Sequence, residues 1–149
     1  MSVDFKKFSG SGMTSDSARL KLISELKKLG IKNNKVLNND TPNFAPEGNI
    51  VGKTPNGTGI MVMANEKVIL EENYISGNAT AGILVVSYLD EYEDDNYNPL
   101  PNKIFIRNNQ LNSNGFDVDK VRAEPIALLT KNKAPEIIWD GVTLSLIHI

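Results

Sequence analysis

The chain has no cysteine and a single histidine among its 149 residues. Without cysteine there is no disulfide framework, no thiolate metal site and no cysteine nucleophile. One histidine excludes a two-histidine metal site, and that residue, His148, stands alone near the C-terminus with no evident partner. Aromatic residues are few, at 7%. Charge of either sign is scarce in excess: 16 Lys+Arg against 18 Asp+Glu leave a formal charge of −2, which gives no basic face for nucleic acid. No apolar run approaches the ~18 residues of a transmembrane helix, and residues 1–20 lack the apolar core of a signal peptide. The length suits one domain or a piece of a larger one.

What the chain has in abundance is asparagine, 18 residues of it, together with 11 glycines. The asparagines are placed by a pattern that occurs three times: apolar, any, apolar, two residues, Asn, any, apolar, two residues, Asn. The copies are Leu29, Ile31, Asn34, Val36, Asn39; then Val68, Leu70, Asn73, Ile75, Asn78; then Ile104, Ile106, Asn109, Leu111, Asn114. A helix does not keep apolar residues two apart with an Asn closing each run. Two short strands joined at an Asn corner do. A second element alternates with the first: Gly59-Ile60-Met61-Val62 precedes the second copy and Gly82-Ile83-Leu84-Val85 follows it, with their glycines 23 residues apart. That spacing predicts one turn of a solenoid of short strands, stacked because no single rung can bury its own apolar face. Inward positions such as Ile60, Val62, Val68, Leu70 and Ile75 form apolar columns. Asn suits the corners because it tolerates the left-handed backbone region, and its amide can bond the Asn above and below. Asn34, Asn73 and Asn109 are expected to stack as one ladder, and Asn39, Asn78 and Asn114 as another.

Two long segments interrupt the coil, at residues 40–58 and 90–102, both rich in proline. Loops of this length are usually functional or disordered, and projecting loops on a solenoid often form its binding face. Upstream, Ser15 or Asp16 can cap a helix carrying Ala18, Leu20, Leu22, Ile23, Leu26 and Leu29, whose role is to cover the first rung or which is a non-native extension. Residues 117–129 are a second helical candidate, although Pro125 argues for a break there. Ile137, Trp139 and Val142 alternate and begin a final strand. The closing Leu144-Ser145-Leu146-Ile147-His148-Ile149 reads either as the translation of a sequencing adapter or as a genuine terminal strand. The expected division is a helical cap at 1–28, a solenoid at 29–143 and the tail at 144–149.

Several blocks carry a more specific signal. They are Asn43-Phe44-Ala45-Pro46-Glu47-Gly48-Asn49-Ile50-Val51, Gly57-Thr58-Gly59-Ile60-Met61-Val62-Met63-Ala64, residues 83–89, Tyr97-Asn98-Pro99-Leu100-Pro101 and Pro135-Glu136-Ile137-Ile138-Trp139-Asp140-Gly141. With the Asn repeat, over residues 30–141, the chain resembles the bacterial family of right-handed parallel β-helix repeat proteins in the pectin-lyase-like group. The resemblance implies a mainly β protein: a right-handed parallel β-helix, a single-stranded solenoid of about three or four rungs, with an N-terminal helix and two inserted loops. It also implies a fragment of a longer chain that is exported to the periplasm or cell surface.

The same resemblance implies chemistry on sugars. Lyases and epimerases on this fold often use Ca²⁺ held by carboxylates with an Arg or Lys base, and hydrolases use clustered Asp. The densest acidic run is Asp90, Glu91, Glu93, Asp94 and Asp95, a candidate Ca²⁺ site because hard cations want several oxygens. It lacks the spacing of an EF-hand, and a solvated acidic loop is the plainer reading. Asp40 with Glu47 is a candidate carboxylate pair for sugar hydrolysis; turn chemistry explains both as well. Arg107, outward on a strand, is a bidentate donor for a uronate carboxylate or the partner of a neighbouring acid. Phe44, Tyr88, Tyr92 and Tyr97 are candidate sugar platforms, since a ring face packs on sugar C–H surfaces; alternatively Tyr88 and Tyr97 clamp their loop to the coil. The expected function is an exported β-helix module presenting a polysaccharide-binding surface of uronate type. The alternatives are a fragment of a polysaccharide lyase, epimerase or hydrolase, and a structural or protein-interaction module. Nucleic acid and a membrane span are not expected, and fold alone does not choose among the three.

Overall fold

The computed structural model describes residues 30–46, 48–89 and 96–142. The chain divides into two units, residues 1–30 and 31–149, and all the described elements belong to the second. The expected N-terminal helix, the acidic run and the terminal tail lie outside the described residues.

Nine strands are described: β1 (Ile31–Lys32), β2 (Lys35–Leu37), β3 (Thr58–Met63), β4 (Ile69–Glu71), β5 (Tyr74–Ser76), β6 (Ala81–Val86), β7 (Phe105–Arg107), β8 (Gln110–Asn112) and β9 (Ile137–Trp139). They form three parallel sheets of three strands, β1-β4-β7, β2-β5-β8 and β3-β6-β9. The chain therefore visits the three sheets in the same order three times. The fold is mainly β.

Side-chain alternation explains the strands. Ile31, Leu70 and Ile106 share one register row, Val36, Ile75 and Leu111 a second, and Ile60, Ile83 and Ile137 a third. These rows meet in one core that also holds Val62, Val85 and Ile104, with Val68 packed against it. The 23-residue glycine spacing reappears as the pairing of Ile60 with Ile83. Short strands of two to six residues suffice because each is paired on at least one side and packed from within.

The asparagines hydrogen bond along two columns. The backbone N–H and Nδ2 of Asn34 both donate to Oδ1 of Asn73, at 3.0 Å each, and those of Asn73 donate to Oδ1 of Asn109, at 3.0 and 2.9 Å. In the second column Asn39 donates to Oδ1 of Asn78 at 3.2 and 2.8 Å, and Asn78 donates to Oδ1 of Asn114 at 3.0 and 2.7 Å. Asn73 also donates Nδ2 to the Ile31 carbonyl at 2.8 Å, so its amide spends both acceptor lone pairs and both donors inside the protein. That saturation is what permits a primary amide to be fully buried.

The left-handed backbone falls one residue earlier than the sequence suggests. Positive φ occurs at Asn33, Glu72 and Asn108 before the first column, and at Asn38, Gly77 and Ser113 before the second. The ladder amide must point along the stack, and the preceding residue makes the corner that aims it. Glycine is required where the second column passes sheet β3-β6-β9. A Cβ on Gly82 would lie 2.9 Å from both Asn114 Nδ2 and the Glu136 carbonyl oxygen, and one on Gly59 would lie 2.5 Å from the Gly82 carbonyl oxygen.

A short helix, α1 (Glu124–Thr130), carries Pro125 within its first turn. The expected break at Pro125 is thus a start, since the missing N–H is one that a first turn leaves unbonded anyway. Val118, Ala123, Ala127 and Ala134 form a second small core with Ile126 and with Ile138 of β9.

Replacing Asn73 by Leu orphans the paired donors of Asn34 and the Oδ1 acceptor's partner in the next pass. It is expected to lower unfolding stability by about 3 kcal/mol or more. Glu72→Asn, which relieves a left-handed glutamate, is expected to raise it by about 0.5–1 kcal/mol. Urea unfolding of both variants checks the pair; a loss below about 1 kcal/mol for Asn73→Leu would remove the column as a stability determinant.

Candidate functional site

Past the ends of β2, β5 and β8 the chain turns outward, and the residues there line two adjoining clefts. Asp40 follows ladder Asn39 and accepts the Ala79 N–H on Oδ1 at 3.0 Å. The Ala79 carbonyl in turn accepts the Asp117 N–H at 2.9 Å. Asp117 accepts Nδ2 of Asn132 on its own Oδ1 at 2.8 Å. Each of these carboxylates keeps its second oxygen without a protein donor among the described residues.

Asp119 is different. Its side chain is only 4% exposed. Oδ2 accepts the Asn56 N–H at 2.9 Å, and Oδ1 accepts the N–H groups of Val121 and Arg122 at 2.9 and 3.1 Å. Burial pushes its pKa up, but the backbone donors of Asn56, Arg122 and Val121 together outweigh that and hold the carboxyl below the usual carboxylate range. Buried Thr80 completes the knot: its hydroxyl donates to the Asn56 carbonyl at 2.5 Å and accepts the Asp119 N–H at 2.9 Å. Asp119 and Thr80 thereby fasten the first insertion to the segment after β8. Arg122 adds a third tie, from Nε to the Gly52 carbonyl at 2.8 Å.

The first cleft, of about 350 Å³, is lined by Asp40, Asn56, Gly57, Phe116, Asp117, Asp119 and Lys120 among others. The second, of about 240 Å³, is lined by Asn38, Asn39, Thr41, Asn43 and Phe44 and shares Asn56 and Gly57 with the first. Gly57 has positive φ, and a Cβ there would meet Thr80 N and Ala79 Cβ at 2.7 Å. Only glycine brings the insertion this close to Ala79 and Thr80. Phe44 at 91% exposure and Phe116 at 52% stand at the clefts as uncovered rings. The insertion is ordered by asparagine: Asn43 donates Nδ2 to the carbonyls of Val51 and Thr54, and its N–H donates to Oδ1 of Asn56 at 2.7 Å.

The residues singled out from sequence scatter across this picture. Asp40 and Phe44 belong to the clefts. Glu47, Tyr92 and the run Asp90, Glu91, Glu93, Asp94 and Asp95 lie outside the described residues. Arg107 sits on β7, with Nε 2.6 Å from Oε1 of Glu71, whose Oε2 is 2.5 Å from Lys32 Nζ. Lys32, Glu71 and Arg107 occupy one register row, so the three charges alternate across the sheet. The hydrogen bond from Lys32 and then that from Arg107 hold the Glu71 carboxyl below its ordinary value. Tyr88 and Tyr97 pack edge to face with ring centroids 6.4 Å apart, and the Tyr97 hydroxyl donates to the Tyr88 carbonyl at 2.9 Å. Lys53 Nζ lies 5.5 Å from the Tyr88 ring. The two tyrosines line neither cleft. Among the described residues no three His, Cys, Asp or Glu side chains come together to hold a metal ion, so no Ca²⁺ site is built from them. Asp117, Asp119 and Phe116 were not anticipated. Aligning the three repeats on Asn39, Asn78 and Asn114 puts Asp40 and Ala79 in one row with Asp117 two residues beyond it, and that is the signal that finds them.

No protein-family model, no curated protein and no solved structure matches the chain.

The depressed Asp119 carboxyl has a consequence for acid stability. Its folded-state value lies below the roughly 3.9 of an unfolded Asp, so its contribution is fully present above that pH and is lost as pH falls through the folded-state value. Asp119→Asn is expected to be less stable than the parent at pH 7, with the gap closing as pH drops below about 4. Paired denaturation curves at pH 7, 4 and 3 check this; a constant gap would mean that Asp119 ionisation is not linked to folding.

Proposed function

We propose that this chain is a right-handed parallel β-helix module that binds polysaccharide in the groove formed by the two clefts. The repeated visit to three parallel sheets supports the solenoid, and parallel crossovers are right-handed in about 98% of cases. The observation that carries the binding reading is the pair of exposed rings, Phe44 and Phe116, on a groove whose polar lining is mostly Asn and Asp. Ring faces stack on sugar C–H surfaces, and amides and carboxylates bond hydroxyls. Asp40, Asp117 and Asp119 outnumber Lys120 in the first cleft. A neutral, hydroxyl-rich chain therefore fits better than the uronate type suggested by the family resemblance, which would need a cation between acid and acid. In this reading the module works at the cell surface or in the periplasm, where it meets such polymers.

A second reading has one observation in its favour. Asp40 and Asp117 come from different passes into one cleft, each with a free oxygen, and paired carboxylates are the machinery of glycoside hydrolysis.

The test is calorimetric titration with neutral and uronate oligosaccharides, the latter with and without Ca²⁺. Neutral oligosaccharides are expected to bind, and Phe116→Ala and Phe44→Ala are each expected to weaken binding about tenfold. Release of reducing ends that Asp117→Asn abolishes, with binding kept, would shift the assignment to the hydrolase. Silence across the panel would sink both readings.

A further inference from the structure

The two asparagine columns end differently. In the second column the last member, Asn114, is met by the Glu136 carboxylate: its backbone N–H lies 3.4 Å from Oε1, and its Nδ2 donates to Oε2. Two carboxylate oxygens stand in for the next amide and close the column. Among the described residues the first column has no such stopper. Asn34 and Asn73 each give their N–H and one Nδ2 proton to the next Oδ1. Asn109 meets no next Oδ1 among the described residues; its Nδ2 bonds the carbonyls of Leu70 and Arg107 at 2.8 and 3.1 Å.

Among the described residues the adjacent row of charges ends at the same place. Lys32, Glu71 and Arg107 alternate in sign across β1, β4 and β7. The row ends on a cation that is 58% exposed, against 11% for the Glu71 it already pairs with. An arginine has five N–H donors in a fixed fork, and only Nε is committed to Glu71 at 2.6 Å. The next place in the row asks for an anion, as cross-strand neighbours of opposite charge do.

We propose that Arg107 and Asn109 at the end of β7 form a strand-addition site for an acidic extended segment. The segment reads apolar, acid, any residue, Asn, and adds parallel to β7. Its acid faces Arg107, its Asn supplies the Oδ1 that Asn109 lacks, and its apolar residue continues the row of Ile31, Leu70 and Ile106. Leu70-Glu71-Glu72-Asn73 has this form and makes these contacts with the pass before it: Leu70 pairs with Ile31, Glu71 faces Lys32, and Asn73 Oδ1 accepts from Asn34. A second copy of the chain is the wrong occupant. Stacked head to tail, its Lys32 would face Arg107, and Oδ1 of its Asn39 would face the Glu136 carboxylate, acceptor against acceptor. The same edge thus takes an acidic strand and rejects polymerisation of the chain with itself. This inference does not depend on the saccharide groove.

The probe is a fluorescent peptide with the sequence of residues 68–76, which stops short of the second-column asparagine that would meet the Glu136 carboxylate, titrated with the full chain and read by anisotropy. Saturable binding is expected, weakened about tenfold or more when the peptide carries Glu71→Lys or Asn73→Leu. Arg107→Glu in the protein should reverse the preference between the Glu and Lys peptides. Should that variant fail to fold, Arg107→Gln should bring the two peptides within about twofold of each other. The chain alone should sediment at one size across concentration. No saturable binding, equal affinity for the Glu and Lys peptides, or concentration-dependent oligomers of the chain alone would each overturn the proposal.

Discussion

A buried primary amide must have its hydrogen bonds met, and in this protein the amide one strand spacing away meets most of them, with the Glu136 carboxylate taking that place for Asn114. Asn78 is fully buried. Its Oδ1 accepts two donors from Asn39, and its Nδ2 reaches Oδ1 of Asn114. Parallel strands about 4.8 Å apart place consecutive amides at hydrogen-bonding distance. A register slip by one residue would turn the amide out of the column and an apolar neighbour into its place, so the same contact sets both register and rung height. Loops of different length are then free to leave the sheets. The ladder partners are 39 residues apart between the first two passes and 36 between the next two, yet the amides stay in line.

This constraint explains which features were legible in the sequence. The five-position repeat is visible because each position answers a physical demand: apolar residues face the core, Asn closes the corner and Gly59 and Gly82 make room beside the column. The core positions Ile60, Val62, Leu70 and Ile75 follow from the same alternation. The corner conformation was misplaced by one residue because Asn tolerance of positive φ is a weaker cause than its role as a stacked amide. Asn33, Glu72 and Asn108 carry the strain in one column, and a glutamate there shows that the corner is imposed by the stack rather than chosen by local preference. Pro125 misled for a related reason: proline breaks a helix interior but suits a first turn, and only the true start of α1 tells the two apart.

The site was less legible because it is made of residues that satisfy no repeating demand. Asp40 looked like a turn former, but its side chain accepts the Ala79 N–H from the next pass. Its proximity to Asp117 depends on how the passes stack and not on local spacing. Arg107 drew attention as an outward cation on a strand, but Glu71 on the neighbouring strand claims it, and nothing in the local sequence around Arg107 shows that pairing. Asp119 was invisible because its three backbone donors come from a remote loop and from its own turn.

Charge in this protein therefore falls into two populations. Glu71 and Asp119 are held ionised by fixed partners, and their electrostatic free energy goes into register and into fastening the insertion. Asp40 and Asp117 each spend one oxygen on the scaffold and keep the other. A carboxylate fully surrounded by donors cannot take up a ligand hydroxyl without giving something back, whereas a half-engaged one is already oriented and still has an acceptor to offer. That distinction, more than the number of acids, is what supports the groove beside Phe44 and Phe116 as the proposed saccharide site, and it sets apart acids that build the scaffold from acids that the scaffold presents.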